Sequence, residues 1–284
     1  MQSAPTTGRT GLTLLHVKSS WRNECHLEKS LYLNFPVRII RLYHPENLTC
    51  GETTFLGKDS SNHLIRVLRS KIDSPVVLFN GDGFDYQCAT LDINSKKTHL
   101  SIESRTEVNN ESNLKITLIQ GLSRQDRMET TIQKSVELGV DKIIPVICQR
   151  SNLKTNKDKL TKKLSHWRKV AISACEQSGR CTIPEITDVI LLNDIDQSIK
   201  QGTLKITLNP AAEISLKNID KIHNDIAHDE IDIMIGPEGG LNDDELLFLE
   251  SNNFMSVSCG PRILRTETAG PAVISALQVL RGDF

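Results

Sequence analysis

Two glycine-rich segments in the C-terminal third, IGPEGGL (residues 235–241) and SCGPRILRTETA (residues 258–269), indicate the fold of this chain. Each follows a short apolar stretch with strand character and precedes a stretch with helical character. In α/β proteins, ligands bind beyond the carboxyl ends of parallel strands, where glycine lets the backbone approach a ligand closely. The pattern taken alone fits a structural turn as well, so the ligand crevice is a hypothesis at this point. The flanking predictions are strands Ile231–Ile235 and Met255–Ser258 and helices Asp243–Asn252 and Thr268–Leu280.

The strand–helix alternation extends over the whole region 113–284. In its first helix, Met128, Ile132 and Val136 recur at helical spacing, and Gly139 is the predicted stop. Such alternation is typical of an α/β fold, a largely parallel sheet covered by helices. The remaining predicted elements are strands Leu114–Gln120, Lys142–Cys148 and Lys205–Leu208 and helices Asp126–Leu138 and Lys159–Gln177.

Residues 37–106 have a different pattern, that of short strands separated by turns. Val76–Phe79 ends at the tight-turn signal NGDG, and Phe84–Leu91 and Thr98–Ser104 follow as further strands. Ser60–Arg69 is predicted to be a short helix. Several strands within about 70 residues favour a small β-barrel domain. A polar linker then leads into the α/β region.

The first 36 residues resemble neither domain, because they are rich in Ser, Thr, Pro and Gly near the start and show no sustained periodicity. We interpret residues 1–36 as an extension, either disordered or upstream of a true start at Val37. Mass spectrometry of the native N-terminus distinguishes these two alternatives.

Composition excludes several classes of protein. A hydrophobic content of 38% is normal for a globular chain, and no apolar run is long enough to cross a bilayer, so we expect a soluble cytoplasmic protein without a membrane partner. The seven cysteines form no CxxC pair, which argues against a zinc site or a disulfide framework. No P-loop, HExxH or GxSxG motif is present, and we expect no metal.

Charge is distributed unevenly along the chain. Residues 113–180 contain 14 Lys and Arg against 6 Asp and Glu, whereas residues 181–253 contain 4 against 15. A basic block can be a solvated surface, but it also suits a phosphate backbone, because Lys and Arg replace its counterions. The asymmetry therefore permits an RNA partner.

Four long motifs together resemble one family. QGLSRQDRMETTIQKSVELGVDKIIPV (120–146), AISACEQSGRCTIPEI (171–186), IGPEGGL and GPRILRTETA occur in the order and spacing of the RsmE family of 16S rRNA (uracil-N3)-methyltransferases, within the SPOUT superfamily. RIIRLYHP (38–45) and HLIRVLR (63–69) match the N-terminal domain of that family. The resemblance covers the chain from about Val37 to its end.

The resemblance implies both architecture and activity. It implies a PUA-like β-barrel for residues 37–106 followed by a SPOUT α/β domain with a trefoil knot for residues 113–284, and a homodimer. Family members transfer a methyl group from S-adenosyl-L-methionine to N3 of uridine 1498 in 16S rRNA, within the small ribosomal subunit.

The resemblance also implies a cofactor pocket built from three loops. Cys259 stands where many relatives have an aliphatic residue, and its thiol is similar in size. The expected pocket residues are Leu208, Asn209, Pro210, Gly236, Pro237, Glu238, Gly239, Gly240, Leu241, Ser258, Cys259, Gly260, Ile263, Leu264, Arg265 and Thr266.

Uridine N3 is a poor nucleophile until its proton leaves, so the reaction needs alignment and a proton acceptor. Glu267 and Glu238 are the candidate acceptors, although Glu238 fits a loop-bracing role better and Glu267 fits either role. Arg265 could stabilise negative charge on the uracil oxygens, although Arg262 and Arg265 could equally bind phosphate. Arg265 and Glu267 are the expected catalytic residues.

Eight arginines are expected RNA contacts, with a partner subunit as the alternative for Arg150 and surface solvation as the alternative for Arg180. They are Arg38, Arg41, Arg66 and Arg69 in the first domain and Arg124, Arg127, Arg150 and Arg180 in the second. Two other functions remain open from the sequence: a ribosome-assembly RNA-binding protein without catalysis, and a knotted methyltransferase acting on a 2′-hydroxyl or on transfer RNA.

Overall fold

Five strands in the N-terminal third pair as one mixed sheet in a computed structural model that describes residues 40–67, 69–151, 157–219 and 229–284. The sheet order is β1-β3-β4-β5-β2, with β1 and β3 parallel and the other neighbours antiparallel. The three strands predicted here are confirmed within a few residues. The predicted extension 1–36 and Arg38 lie outside the described residues. The strands are Ile40–Tyr43 (β1), Thr53–Phe55 (β2), Pro75–Phe79 (β3), Phe84–Asp92 (β4) and His99–Glu107 (β5).

The apolar residues of this sheet form a core of their own, in which Leu42, Leu78 and Leu100 are buried. The sheet also curves strongly. His44, just after β1, hydrogen-bonds through Nε2 to the Thr54 hydroxyl of β2 at 3.0 Å, although β1 and β2 are the opposite edges of the sheet. The two edges therefore approach each other at this end.

The helix predicted at Ser60–Arg69 is different in the structure. An α-helix covers only Lys58–Asn62 (α1), and a π-helical turn follows at His63–Val67. Arg69 has φ 53°, in the left-handed region, which ends helical geometry for an L-residue. Leu64 is fully buried in the core of this sheet.

The α/β region folds around a second sheet, in which all neighbouring strands are parallel. Its order is β12-β10-β11-β6-β7-β8, and β9 also pairs with β7. The α/β prediction and its principal elements are confirmed. The strands are Lys115–Gly121 (β6), Lys142–Ile147 (β7), Glu185–Ile186 (β8), Ile190–Leu191 (β9), Leu204–Leu208 (β10), Glu230–Ile235 (β11) and Met255–Val257 (β12). The helices are Gln125–Glu137 (α2), Lys157–Ser178 (α3), Asp243–Ser251 (α4) and Thr266–Arg281 (α5), with 3₁₀ turns at Leu192–Gln197 and Leu216–Asn218.

The helical spacing seen in the sequence explains how α2 packs. Met128, Ile132 and Val136 are fully buried on one face, and Gly139 follows the helix with φ 88°. That conformation favours glycine and ends the helix at the predicted position. Trp167 of α3 is also completely buried, so the basic helix α3 contributes an apolar stripe to the core.

Arg41 joins the two sheets, which corrects its expected role as an RNA contact. Its guanidinium donates to Asp85 at 2.9 Å, to the Cys175 carbonyl at 2.7 Å and to the Arg180 carbonyl at 3.0 Å. Burial raises the pKa of the neighbouring Cys181 thiol to about 12, so this thiol stays protonated and donates to Asp85. The Arg41 side chain is directed into the protein and is not available to a phosphate.

Arg180 is a second correction, because its side chain is only 4% exposed. It forms a salt bridge with Glu111 at 2.6 Å and donates to the carbonyls of Val136 and Val140 at 2.8 and 2.9 Å. Val136 lies in the last turn of α2, where four carbonyl groups lack partners within the helix, and Val140 follows three residues after the helix ends. Arg180 therefore stabilises the fold and does not face RNA.

We expect Arg180→Met to lower the free energy of unfolding by about 3 kcal/mol, because it breaks a buried ion pair with Glu111 and removes two hydrogen bonds to backbone carbonyls. Urea unfolding of the full chain measures this change. Lys134→Ala is the matched control, since it removes an exposed pair with Glu137 and should cost less than about 1 kcal/mol. Equal losses in the two variants would contradict the structural role of Arg180.

Candidate active site

The carboxyl ends of β10, β11 and β12 meet around a cavity of about 360 Å³. A parallel sheet brings these ends to one edge, which is where α/β proteins bind ligands. The two glycine-rich segments form much of its wall. The lining residues are Arg127, Leu208, Asn209, Pro210, Ile235, Gly236, Pro237, Glu238, Gly240, Leu241, Leu246, Cys259, Gly260, Arg262, Ile263, Leu264, Arg265, Thr266 and Ala269.

The structure brings fourteen of the sixteen expected pocket residues to this cavity and leaves two away from it. Gly239 packs against Arg150, so that an added Cβ would lie 2.8 Å from the Arg150 Cβ. Ser258 turns its hydroxyl to the Ile214 carbonyl at 3.2 Å. The sequence does not identify Ile235, Leu246 and Ala269 as lining residues. The expected pocket consists of loop residues, whereas these three lie in a strand and two helices. Arg127 is among the expected RNA contacts, although its side chain also reaches the cavity wall.

The hydroxyl of Thr266 connects the walls of the cavity. It donates to the Gly236 carbonyl at 2.8 Å and accepts from the Gln120 side chain at 2.9 Å. Gly121 follows at the end of β6, where a Cβ would lie 2.5 Å from the Pro237 nitrogen. Only a glycine allows β6 and the IGPEGGL segment to approach so closely.

The end of the IGPEGGL segment is fixed from two sides. The Asn242 side chain accepts from the Glu245 backbone N–H at 2.8 Å, and Glu245 accepts from the Asn242 backbone N–H at 2.9 Å. This capping box at the start of α4 confirms the predicted helix start. Arg150 donates to the carbonyls of Gly239 and Leu241, both at 3.2 Å. The arginine expected to contact RNA thus braces the loop with part of its exposed guanidinium.

Glu238 links the same segment to α2. Its Oε1 accepts from the Arg124 backbone N–H at 2.9 Å and lies 3.5 Å from the Arg127 guanidinium. Its Oε2 is buried without a hydrogen-bond partner in the described residues. The contacts of Glu238 fit the loop-bracing interpretation of this residue.

Glu267 lies in the first turn of α5, beside two arginines. Its Oε2 is 3.9 Å from the Arg127 Nε, and its Oε1 is 4.0 Å from the Arg265 Nη1. Oε2 is buried and has no hydrogen-bond partner among the described groups. Arg265 is 77% exposed at the rim of the cavity. Of the two residues expected to be catalytic, Arg265 lines the mouth of the cavity, whereas Glu267 does not line it and directly follows the lining residue Thr266.

The side chains of Arg66, Arg69 and Arg124 are exposed. Within the described residues, no cluster of three or more His, Cys, Asp or Glu side chains could hold a metal ion. In the same part of the chain, no helix has the length and apolar character needed to span a membrane.

Comparison with known families defines the class of this protein. Residues 110–278 match the RNA methyltransferase domain, and residues 56–103 match the RNA methyltransferase PUA domain. The first match contains both glycine-rich segments and the cavity they line.

Curated relatives narrow the class to one family. The ribosomal RNA small subunit methyltransferase E of Buchnera aphidicola (strain APS) is 32% identical over 247 residues, covering 87% of this chain and 96% of the relative. The protein of the same name from Bacillus subtilis is 31% identical, covering 78% and 90%. The chain belongs to the ribosomal RNA small subunit methyltransferase E family.

Two solved structures are similar over the same region. One is a methyltransferase from Legionella pneumophila in complex with the bound cofactor SAM, with 37% identity and a TM-score of 0.81 over 87% of this chain and 100% of that chain. The other is a ribosomal RNA small subunit methyltransferase E from Neisseria gonorrhoeae bound to S-adenosyl methionine. It shares 37% identity and a TM-score of 0.78 over 87% and 99%.

We expect Gly121→Ala to destabilise the protein by about 1–3 kcal/mol, because its Cβ would overlap the backbone at Pro237. Gly270→Ala is the matched control within α5, since the nearest atom to its Cβ is 3.5 Å away and alanine favours a helix. Thermal unfolding should give a lower melting temperature for Gly121→Ala and an unchanged or higher melting temperature for Gly270→Ala. Unchanged stability of Gly121→Ala would contradict the close approach of these segments.

Proposed function

We propose that this protein transfers a methyl group from S-adenosyl-L-methionine to N3 of a uridine in 16S rRNA, at the position numbered 1498 in the family's rRNA. The observation that carries the proposal is the cavity at the carboxyl ends of β10, β11 and β12, with the Arg265 guanidinium at its mouth and the Glu267 carboxylate one residue beyond the lining residue Thr266. Its substrate is the small ribosomal subunit, which places the action in the cytoplasm.

The cavity suits the cofactor by size and by the groups that line it. Its volume of about 360 Å³ lies within the range of small-molecule sites, which is roughly 300–1,000 Å³. Gly240 and Gly260 line the cavity with φ of 70° and 75°, a left-handed conformation that glycine adopts readily, and their lack of a side chain lets a ligand approach the backbone. Leu208, Leu241 and Leu264 supply apolar contact surface. The bound cofactor would supply an electrophilic methyl group.

The chain itself has to remove the proton from uridine N3. Glu267 Oε2 is the proposed acceptor, because it is buried beside the cavity and uses none of its hydrogen-bonding capacity on the described residues. A buried carboxylate oxygen without a hydrogen bond is costly, so a hydrogen-bond donor from the substrate would stabilise it. Proton transfer needs such a donor within hydrogen-bonding reach.

Arg265 has the second chemical role in this proposal. Loss of the N3 proton places negative charge on the uracil O2 and O4 atoms, and the exposed Arg265 guanidinium at the mouth of the cavity would stabilise that charge. Arg127 lies between Glu238 and Glu267, at 3.5 and 3.9 Å, and keeps both carboxylates oriented. Glu238 braces the loop and is not the proposed base.

The RNA-contacting surface in this proposal comprises exposed basic side chains of both domains. Arg66, Arg69, Arg124 and Arg150 are exposed, and Arg127 is partly so. Arginine binds phosphate oxygens through a planar fork of donors. Arg41 and Arg180 are left out, because their guanidinium groups serve the protein interior.

The proposal includes the finer architecture of the family. Residues 37–106 form a closed PUA-like barrel, supported by the His44–Thr54 contact between edge strands. Residues 113–284 form the knotted domain. After β12, at one edge of the sheet, α5 returns to pack on β6, β11 and α2, and this return across the sheet supports the proposed knotted path.

The enzyme is proposed to act as a homodimer. Exposed apolar side chains at the end of the chain, Val279, Leu280 and Phe284, support this part of the proposal. Sedimentation velocity of the full chain tests it, and a monomer at micromolar concentration would contradict it.

Methylation at N3 blocks Watson–Crick pairing, so reverse transcriptase should stop at the modified uridine in wild-type rRNA and read through in a deletion strain. Expression of this chain should restore the stop. An unchanged stop pattern would refute the proposed target.

Calorimetry with S-adenosyl-L-methionine distinguishes an enzyme from a binding protein that has lost catalysis. We take binding of the cofactor together with restoration of the stop as the result that supports the enzyme. Absence of cofactor binding would refute it.

We expect Glu267→Gln and Arg265→Ala to reduce the single-turnover rate of methyl transfer by about 100-fold or more, as is typical when a proton acceptor or a charge-stabilising donor is lost. Cofactor affinity, measured by calorimetry, should change less than the rate. Glu250→Gln, an exposed carboxylate of α4, is the control and should keep the wild-type rate. An unchanged rate in either test variant would remove that residue from the mechanism.

A further inference from the structure

A second cavity, of about 930 Å³, lies in the N-terminal domain and has no part in the proposed methyl transfer. It is an open groove formed by the chain after β1, the edge strand β2, the start of α1 and the turn between β4 and β5. The lining residues are Tyr43, His44, Pro45, Glu46, Thr53, Thr54, Phe55, Leu56, Gly57, Lys58, Asp59, Ser60, Lys96 and Lys97. We refer to it as the Phe55 groove.

The wall of the groove presents an exposed aromatic ring. Phe55 is 45% exposed, and its ring stacks on the His99 imidazole with centroids 4.4 Å apart and planes inclined by 12°. The Lys97 ammonium lies 3.9 Å from the centroid of the Phe55 ring. The stacking fixes the orientation of the Phe55 ring, while the flexible lysine side chain can leave its position over the ring at little cost.

The charges around the groove favour an anionic ligand. Lys58, Lys96 and Lys97 are exposed, and within the described residues none of their ammonium groups is in an ion pair. Among the acidic residues of the lining, Asp59 is already paired with Lys169 of α3 at 3.5 Å. Glu46 is the remaining acidic group of the lining.

The floor of the groove is neutral and polar. Burial lowers the pKa of His44, so its imidazole is uncharged at neutral pH. Its ring shares a hydrogen bond with the Thr54 hydroxyl at 3.0 Å. Neutral hydrogen-bonding groups beside an aromatic ring suit the edge of a nucleobase.

The groove is continuous with the basic helix α3 of the other domain. Lys169 bridges to Asp59 at its rim, and the Tyr43 backbone N–H donates to Glu176 of α3 at 3.0 Å. The exposed Lys162 lies two turns earlier on the same helix. A polyanion bound along α3 at Lys162 and Lys169 would thus reach the rim of the groove.

We propose that the Phe55 groove binds one unstacked nucleotide of the RNA substrate. Its base stacks on the Phe55 ring in the position of the Lys97 ammonium, and the flanking phosphates are bound by Lys58, Lys96 and Lys97. Aromatic stacking beside a basic track is a general way of binding single-stranded RNA. The inference rests on the proposed function, since it assigns a second contact to the same rRNA, remote from the methylated base.

The test measures binding of the full chain to a fluorescein-labelled, mixed-sequence single-stranded RNA of 12 nucleotides by fluorescence anisotropy. Phe55→Leu keeps an apolar side chain but removes the ring, and it should bind about tenfold more weakly, which corresponds to about 1.4 kcal/mol. Phe55→Tyr should retain wild-type affinity. Leu91→Ala, at a residue that is 44% exposed on β4 of the same domain, is the matched control and should also bind as wild type.

Loss of the lysines should change the salt dependence of RNA binding. The triple variant Lys58→Ala, Lys96→Ala, Lys97→Ala should lower the slope of log affinity against log salt concentration by about 2, since each phosphate contact on a single strand contributes roughly 0.7. Lys71→Ala, which removes an exposed lysine outside the groove, should leave the slope unchanged. An unchanged slope in the triple variant would overturn the phosphate contacts.

Wild-type affinity of Phe55→Leu for the RNA probe would overturn the inference. If this variant bound the probe normally but bound intact small subunits weakly, the groove would contact a ribosomal protein, and the RNA assignment would be wrong. Calorimetry with S-adenosyl-L-methionine on the same preparations separates the two proposals. Loss of cofactor binding by the wild-type chain refutes the proposed function, whereas a failed Phe55 test with normal cofactor binding refutes only the groove.

Discussion

The candidate active site depends on the Thr266 hydroxyl, which connects the Gln120 side chain of β6 with the Gly236 carbonyl. This one group joins the end of a central strand, the IGPEGGL segment and the first turn of α5. The contact requires the chain to approach closely at Gly121, where no side chain fits beside Pro237. The cavity wall is therefore assembled from segments separated by more than a hundred residues, and its shape follows from how tightly they pack.

Arginine has two distinct uses in this protein, and burial separates them. Arg41 and Arg180 place their guanidinium groups among carbonyls and carboxylates of the interior, where they connect the two sheets and complete the end of α2. Buried donors of this kind have to be satisfied by the protein, since water cannot reach them. Arg66, Arg69 and Arg124 remain on the surface, where an RNA phosphate can replace water.

The carboxylates beside the cavity differ in the same way. One oxygen of Glu238 accepts a hydrogen bond from the Arg124 backbone and pairs with the Arg127 side chain, and these contacts connect its loop to α2. Glu267 has only longer contacts to Arg127 and Arg265, and its buried Oε2 has no hydrogen-bond partner among the described groups. Glu238 also has one buried oxygen without a hydrogen bond, but its other oxygen is held by a backbone N–H, so Glu267 is the better candidate for interaction with a substrate. The lysines of the Phe55 groove are likewise available to a ligand, because they have no ion-pair partners in the described part of the chain.

The sequence by itself determined the α/β class, most of the strands and helices, and the loops around the cavity. These properties are local: apolar periodicity, glycine at loop positions and the Asn242–Glu245 capping box are each contained in a few consecutive residues. Only the tertiary structure decided which arginines are buried, that Arg127 reaches the cavity, and that Ser258 and Gly239 turn away from it. It also decided that the helix expected at Ser60–Arg69 is a short α-helix, Lys58–Asn62, followed by a π-helical turn. Such outcomes depend on partners distant in sequence, such as Glu111 for Arg180, and no local pattern specifies those contacts.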